Sequence, residues 1–155
     1  MFRLPGPVSV PLRASVDAAG RALTRAAAGP ATESNALFLP GHGLRLTGGP
    51  TRFDAWSGDV RVLHVDVDEA ARTVVMAGDW WYRGTYRIHE RGGAAWVEYR
   101  VENAAERGRW AVPWANKLFA GYRTTMLGTA VIVASRVAKA VDAEQASEDG
   151  DETAC

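Results

Sequence analysis

The side chains best suited to chemistry in these 155 residues are phenols. Tyr82, Tyr86 and Tyr99 fall in one short span, and Tyr122 and Met126 follow one helical turn apart. A buried phenol needs a hydrogen-bond partner for its OH. Several phenols on one concave apolar face therefore supply the polar handles that line small-molecule pockets. Trp80 joins the group if strand parity runs unbroken through Gly78-Asp79. Arg123, beside Tyr122, stands either at the mouth of such a pocket as an anion handle or in a surface ion pair. The competing reading of the same aromatics is an ordinary filled core.

Other chemistries find less support. Of the three histidines, His42 sits in the loop Gly41-His42-Gly43, while His64 and His89 fall on outward strand positions. Metal ligands must converge, and these do not, so no metal or other cofactor is expected. Asp66, Asp68 and Glu69 read as a solvated turn, not as an acid–base pair aimed into a cleft. No phosphate-loop or dinucleotide glycine pattern occurs, and no Gly-x-Ser-x-Gly elbow. No catalytic residue is assigned.

The elements that must position the tyrosines are legible from periodicity. Residues 7–14 alternate as a half-buried strand, with Pro11 marking an edge or a bulge. Asp17 is placed to cap a helix over 18–28 that ends at Gly29-Pro30, and a second short helix covers 31–36. Strands are expected at 43–48, 52–57, 60–67, 73–79, 82–90 and 95–103. Gly92-Gly93 predicts a two-residue hairpin turn, because both positions tolerate φ > 0. That turn fixes the register: Tyr86 faces Tyr99 on an apolar side, and Arg87 faces Glu98 and Arg83 faces Glu102 on a salt-bridged side. Pro113 opens a helix from Trp114 to about Val141. Its stripe is Leu118, Tyr122, Met126, Ala130, Val133, Val137 and Val141, and its centre, apolar all round, should be covered. Strand glycines at 78 and 84 should leave room between sheet and helix.

Composition bounds the rest. The length and the 47% hydrophobic content suit one globular domain. Eighteen bases balance eighteen acids, but six acids fall in residues 142–155, which leaves the preceding chain basic. Sixteen of the bases are arginines scattered over many elements, so no nucleic-acid surface is read. The domain is expected to span 1–142, with a disordered acidic tail over 143–155. The longest uncharged stretch, 124–135, is short of the roughly 20 residues a membrane span needs. The single cysteine, Cys155, and the absence of an apolar leader at the N-terminus predict a cytoplasmic protein without disulfides. It is expected to be a monomer or a homodimer, with neither a membrane nor a nucleic-acid partner.

The order of one edge strand, two short helices, a six-strand meander and a long C-terminal helix resembles the START and Bet v1-like superfamily (SRPBCC) and its bacterial polyketide cyclase-like branch. The residues that carry the resemblance are Val10 to Ala19, Trp81 to Ile88 and Arg109 to Asn116 running into the last helix. The resemblance implies an α+β helix-grip fold: a seven-stranded curved antiparallel sheet around the C-terminal helix, with a ligand cavity between them. The function expected is binding of a small hydrophobic or aromatic molecule there, by Tyr82, Tyr86, Tyr99, Tyr122 and Met126 with Trp80 and Arg123. The alternative is a cyclase- or dehydratase-like enzyme in which tyrosine hydroxyls polarise a carbonyl.

Overall fold

In the computed structural model of the chain, residues 5–39, 41–108, 111–112 and 122–152 are described. They build an α+β fold, a curved antiparallel sheet of eight strands with a long C-terminal helix. The elements are β1 (Val8–Leu12), α1 (Val16–Thr24), β2 (Gly29–Pro30), β3 (Leu44–Gly48), β4 (Arg52–Ser57), β5 (Val60–Asp68), β6 (Thr73–Ala77), β7 (Tyr82–Arg91), β8 (Ala94–Asn103) and α2 (Tyr122–Glu152). The sheet order is β1-β8-β7-β6-β5-β4-β3-β2, every pair antiparallel.

Strands β3 to β8 form a meander, and β1 returns to pair with the last strand, Val8 opposite Tyr99 and Leu12 opposite Ala95. Pro11 accordingly lies on an edge strand, where proline is tolerated. The Gly92-Gly93 turn has positive φ at both glycines, 60° and 77°. Its register matches the expected one throughout, including Tyr86↔Tyr99, Arg87↔Glu98 and Arg83↔Glu102. The ion pairing differs: Glu98 approaches Arg100, two residues along its own strand, at 3.8 Å.

Two expectations are corrected near the N-terminus and one at the sheet. Ser15, not Asp17, caps α1, its Oγ accepting from the Ala18 N–H at 3.2 Å. Asp17 instead occupies the first helical turn, where an acid suits the helix dipole, and it pairs with Arg72 at 2.5 Å. The Cγ and Cδ of Arg72 lie so close to Gly20 that a Cβ there would meet them at 2.7 Å. The helix expected over 31–36 is absent. Asn35 holds this segment as a loop: its Nδ2 donates to the carbonyls of Ala27 and Pro30, and its Oδ1 accepts from the Ala27 N–H. Such side-chain bonds offer the backbone an alternative to helix. Freed from a helix, Gly29–Pro30 pairs with Leu46 and Arg45, which makes eight strands where seven were expected.

The core lies between the sheet and α2. Met126, Ala130, Val133, Val137 and Val141 are all buried, as the stripe predicts, and α2 packs on β1, β8 and α1. Leu118 and the expected helix start at Pro113 and Trp114 lie outside the described residues. Two further expectations about α2 are overturned. Its centre is not covered on all sides, since Leu127, Val131 and Ile132 stay exposed. The acidic segment expected to be disordered from 143 onward is helical as far as Glu152. Glu144 there pairs with Arg25 of α1. By length and composition, Tyr122 to Asp149 is a helix long and apolar enough to cross a membrane, but its inner stripe is packed against the sheet as in a core helix.

Candidate functional site

The chain has four tyrosines, and all four are drawn to one region. Tyr86 and Tyr99 sit opposite each other on β7 and β8, and their rings stack at a centroid distance of 4.4 Å with 13° between planes. Tyr82, one strand repeat before Gly84, reaches diagonally across it. Its hydroxyl lies 2.9 Å from that of Tyr99. This reach needs a glycine: a Cβ at position 84 would collide with the Tyr82 hydroxyl and stand 2.7 Å from its Cζ. The room expected above Gly84 is thus occupied by the Tyr82 phenol. A Cβ on Gly78 would make only an ordinary 3.6 Å contact with Tyr82 Cβ. Tyr122 approaches from α2 and tilts towards Trp81, ring centroids 6.4 Å apart. Met126, one turn on, is buried on the inner stripe.

The hydroxyls are not equivalent. Tyr82 and Tyr99 satisfy each other, whereas Tyr86 is fully buried and, among the described residues, its hydroxyl has no hydrogen-bond partner. A buried hydroxyl without a partner costs about 1–3 kcal/mol. Burial pushes every phenol to the alkaline side of its ordinary value. For Tyr82 the neighbouring Tyr99 adds to the effect of burial, as it does for Tyr86. For Tyr99 the bond with Tyr82 partly offsets burial. Tyr122 is pushed up to about 12, by burial first and Tyr99 second. At neutral pH all four are therefore uncharged, able to donate a proton in a hydrogen bond and poorly suited to act as bases.

Trp80 and Arg123 do not join this group. The chain breaks from strand geometry between Ala77 and Tyr82, closed by a bond from the Gly78 N–H to the Tyr82 carbonyl at 2.9 Å. The break resets the parity. Trp80 turns outward, nearly half exposed, and its Nε1 donates to the Arg107 carbonyl at 3.3 Å. Arg123 is exposed on α2. Trp81 takes the place foreseen for Trp80: it is half-buried and packs T-shaped with Tyr82, ring centroids 5.9 Å and planes 89° apart. Its bend position just before β7 gave alternation no purchase on it.

The remaining candidates lie elsewhere. His64 is exposed and shares a 2.7 Å contact with Asp54, with Asp79 at 3.6 Å. His42 is an exposed loop residue, and His89 pairs with Trp96 on the outer sheet face. Among the described residues no three metal-ligating side chains converge. An open groove of about 740 Å³ runs between α1 and the last turns of α2, lined by charged side chains including Arg21, Arg136 and the Arg25–Glu144 pair. It contains none of the tyrosines. The tyrosine cluster is the better candidate, because it presents a fully buried side chain whose polar atom lacks a partner.

No family model matches the chain, and no curated protein matches it. Two solved structures align with the chain. The Thermus thermophilus protein TTHA0849 aligns over 87% of this chain and 97% of its own, at 13% identity and a TM-score of 0.42. The solution structure of KanY protein aligns over 92% of this chain and 99% of its own, at 17% identity and a TM-score of 0.60. At that identity the likeness to KanY shows the fold, nearly end to end, and the fold alone.

Proposed function

We propose that this chain has the helix-grip fold of START/Bet v1-like proteins and binds a small, uncharged, largely apolar or aromatic molecule between the sheet and α2. The observation that carries the reading is the Tyr86 hydroxyl, buried and unpartnered beside the Tyr82–Tyr99 pair. A ligand oxygen or ring nitrogen that accepts from Tyr86 would remove that penalty, which an apolar filling cannot do. Because burial chiefly, and one another second, keep the phenols neutral, the site favours a neutral acceptor over a carboxylate. Stacked Tyr86 and Tyr99, with Trp81 T-shaped to Tyr82, offer an aromatic lining to a planar ligand. We place the protein in the cytoplasm on the same reading.

A cyclase- or dehydratase-like activity is the second reading, favoured by the presence of several phenolic donors in one cluster, which could polarise a carbonyl. Native mass spectrometry of the purified chain, followed by titration of the compound found against wild type and Tyr86→Phe, tests the first reading. A loss of affinity of about 0.5–1.5 kcal/mol, the worth of one hydrogen bond, supports binding. A loss of turnover by orders of magnitude supports catalysis. Unchanged affinity would remove Tyr86 from the site and with it the argument.

A further inference from the structure

Tyr86 is 0% and Tyr99 6% exposed, so nothing from solvent reaches either ring unless a side chain moves. Tyr82 is only half-buried, and its hydroxyl is the one bonded to this pair, 2.9 Å from that of Tyr99. Its ring lies over Gly84, the residue between Tyr82 and Tyr86 on the same strand face. A Cβ added to Gly84 would overlap the Tyr82 hydroxyl and stand 3.3 Å from the Tyr99 ring. The slot above Gly84, bounded by Tyr99, thus holds one phenol, and that phenol is supplied by the chain itself.

Little fixes Tyr82 in the slot. It is the first residue of β7, and the chain before it leaves strand geometry over 78–81. Gly84 has no side chain to hold the ring from below. The Tyr82–Tyr99 bond joins two neutral hydroxyls. A ligand oxygen bonded to the Tyr99 hydroxyl replaces it like for like, while water meets the displaced phenol, so the exchange costs no net hydrogen bond. We infer that Tyr82 is a plug that occupies the ligand's own place and swings out when the ligand enters. The inference rests on the binding reading above and narrows the ligand. It is a single aromatic ring with a hydroxyl or carbonyl oxygen at one end and its other substituent para to it, as Cβ is in tyrosine. A closed plug lowers the apparent affinity by the fraction of molecules in which it stands open.

Calorimetric titration with para-cresol tests this, because a plug and a wall predict opposite signs. Tyr82→Phe keeps the ring but frees the Tyr99 hydroxyl, and should bind the probe several-fold more tightly than wild type. Tyr82→Ala empties the slot and should bind it about tenfold more tightly, or better. Adding Gly84→Ala to Tyr82→Ala should remove most of that gain, because its methyl group stands in the slot. Circular dichroism checks that each variant is folded, and Tyr82→Phe decides the sign alone if Tyr82→Ala unfolds. An affinity of Tyr82→Phe equal to or weaker than that of wild type overturns the plug. So does a gain in Tyr82→Ala that survives Gly84→Ala, since the probe then sits elsewhere. Tyr86→Phe separates the two readings. If it weakens binding while the Tyr82 variants show no gain, the site stands and the plug falls. If the Tyr82 variants gain affinity and Tyr86→Phe changes nothing, the plug stands and Tyr86 leaves the site.

Discussion

The rings of Tyr86 and Tyr99 stack across the β7–β8 ladder, but only Tyr99 has a partner for its hydroxyl. Two neighbouring phenols should therefore respond oppositely to the same substitution. Tyr86→Phe removes an unsatisfied group and should leave the ligand-free protein as stable as wild type, or more stable by about 1 kcal/mol. Tyr99→Phe leaves the Tyr82 hydroxyl unpaired and should cost about 0.5–1.5 kcal/mol. Urea unfolding of both variants checks the order, and a larger loss for Tyr86→Phe would contradict it.

Alkaline pH should strike this cluster late and then unfold it. The unfolded chain releases phenolic protons near pH 10, while the folded chain holds them to higher pH. The folded state therefore binds more protons above pH 10, and stability present below that pH is lost as pH rises, through about 12 for Tyr122. Absorbance at 295 nm should stay nearly flat through pH 10 and climb only beyond it, together with loss of the folded circular dichroism signal. A full tyrosine titration centred at pH 10 in folded protein would refute the burial of these hydroxyls.

Gly84 should resist substitution because of Tyr82. A methyl group at position 84 collides with the Tyr82 ring, so Gly84→Ala must displace it and break its bond to Tyr99. The expected loss is about 1–3 kcal/mol. Tyr82→Ala removes the obstacle, so the double variant should lose clearly less than the sum of the two single losses. Additivity, read from chemical denaturation, would place Tyr82 away from Gly84.

Removing residues 143–155 should shorten a helix without loosening the domain. Among the described side chains of α2, Val141 is the last buried one, and the Arg25–Glu144 pair is partly exposed. Such a pair contributes about 0–1 kcal/mol. Ellipticity at 222 nm should fall while the unfolding free energy changes by no more than that. A larger drop would show that the acidic turns pack on α1.

The sequence was legible where period and turn chemistry agreed. Gly92-Gly93 set the register that stacks Tyr86 on Tyr99, and the three-and-four spacing of α2 named its buried stripe. It was opaque where a side chain overruled the local pattern. Asn35 turns a plausible helix into a loop by three bonds to backbone that no propensity encodes. Leu37, Phe38 and Leu39 are buried in that loop without any period to betray them. Trp80 and Trp81 exchanged roles because a four-residue break, not a strand, precedes Tyr82. The orphan hydroxyl of Tyr86 was invisible for a different reason: it depends on Tyr82 choosing Tyr99, and one-dimensional pattern cannot rank two phenols.

The place of β1 in the sheet bears on how the protein is made. Among the described residues its only ladder partner is β8, and Leu12 and Ala94 are separated by most of the meander. On a ribosome adding about 5–20 residues per second, the first strand waits roughly 4–16 s before the strand it pairs with exists. Until then Val8, Val10 and Leu12 emerge as an unpaired apolar edge, the kind of segment that recruits other chains or holding chaperones. A nascent chain stalled before Ala94 therefore keeps this first strand unmated, however complete the hairpins between β3 and β6 already are.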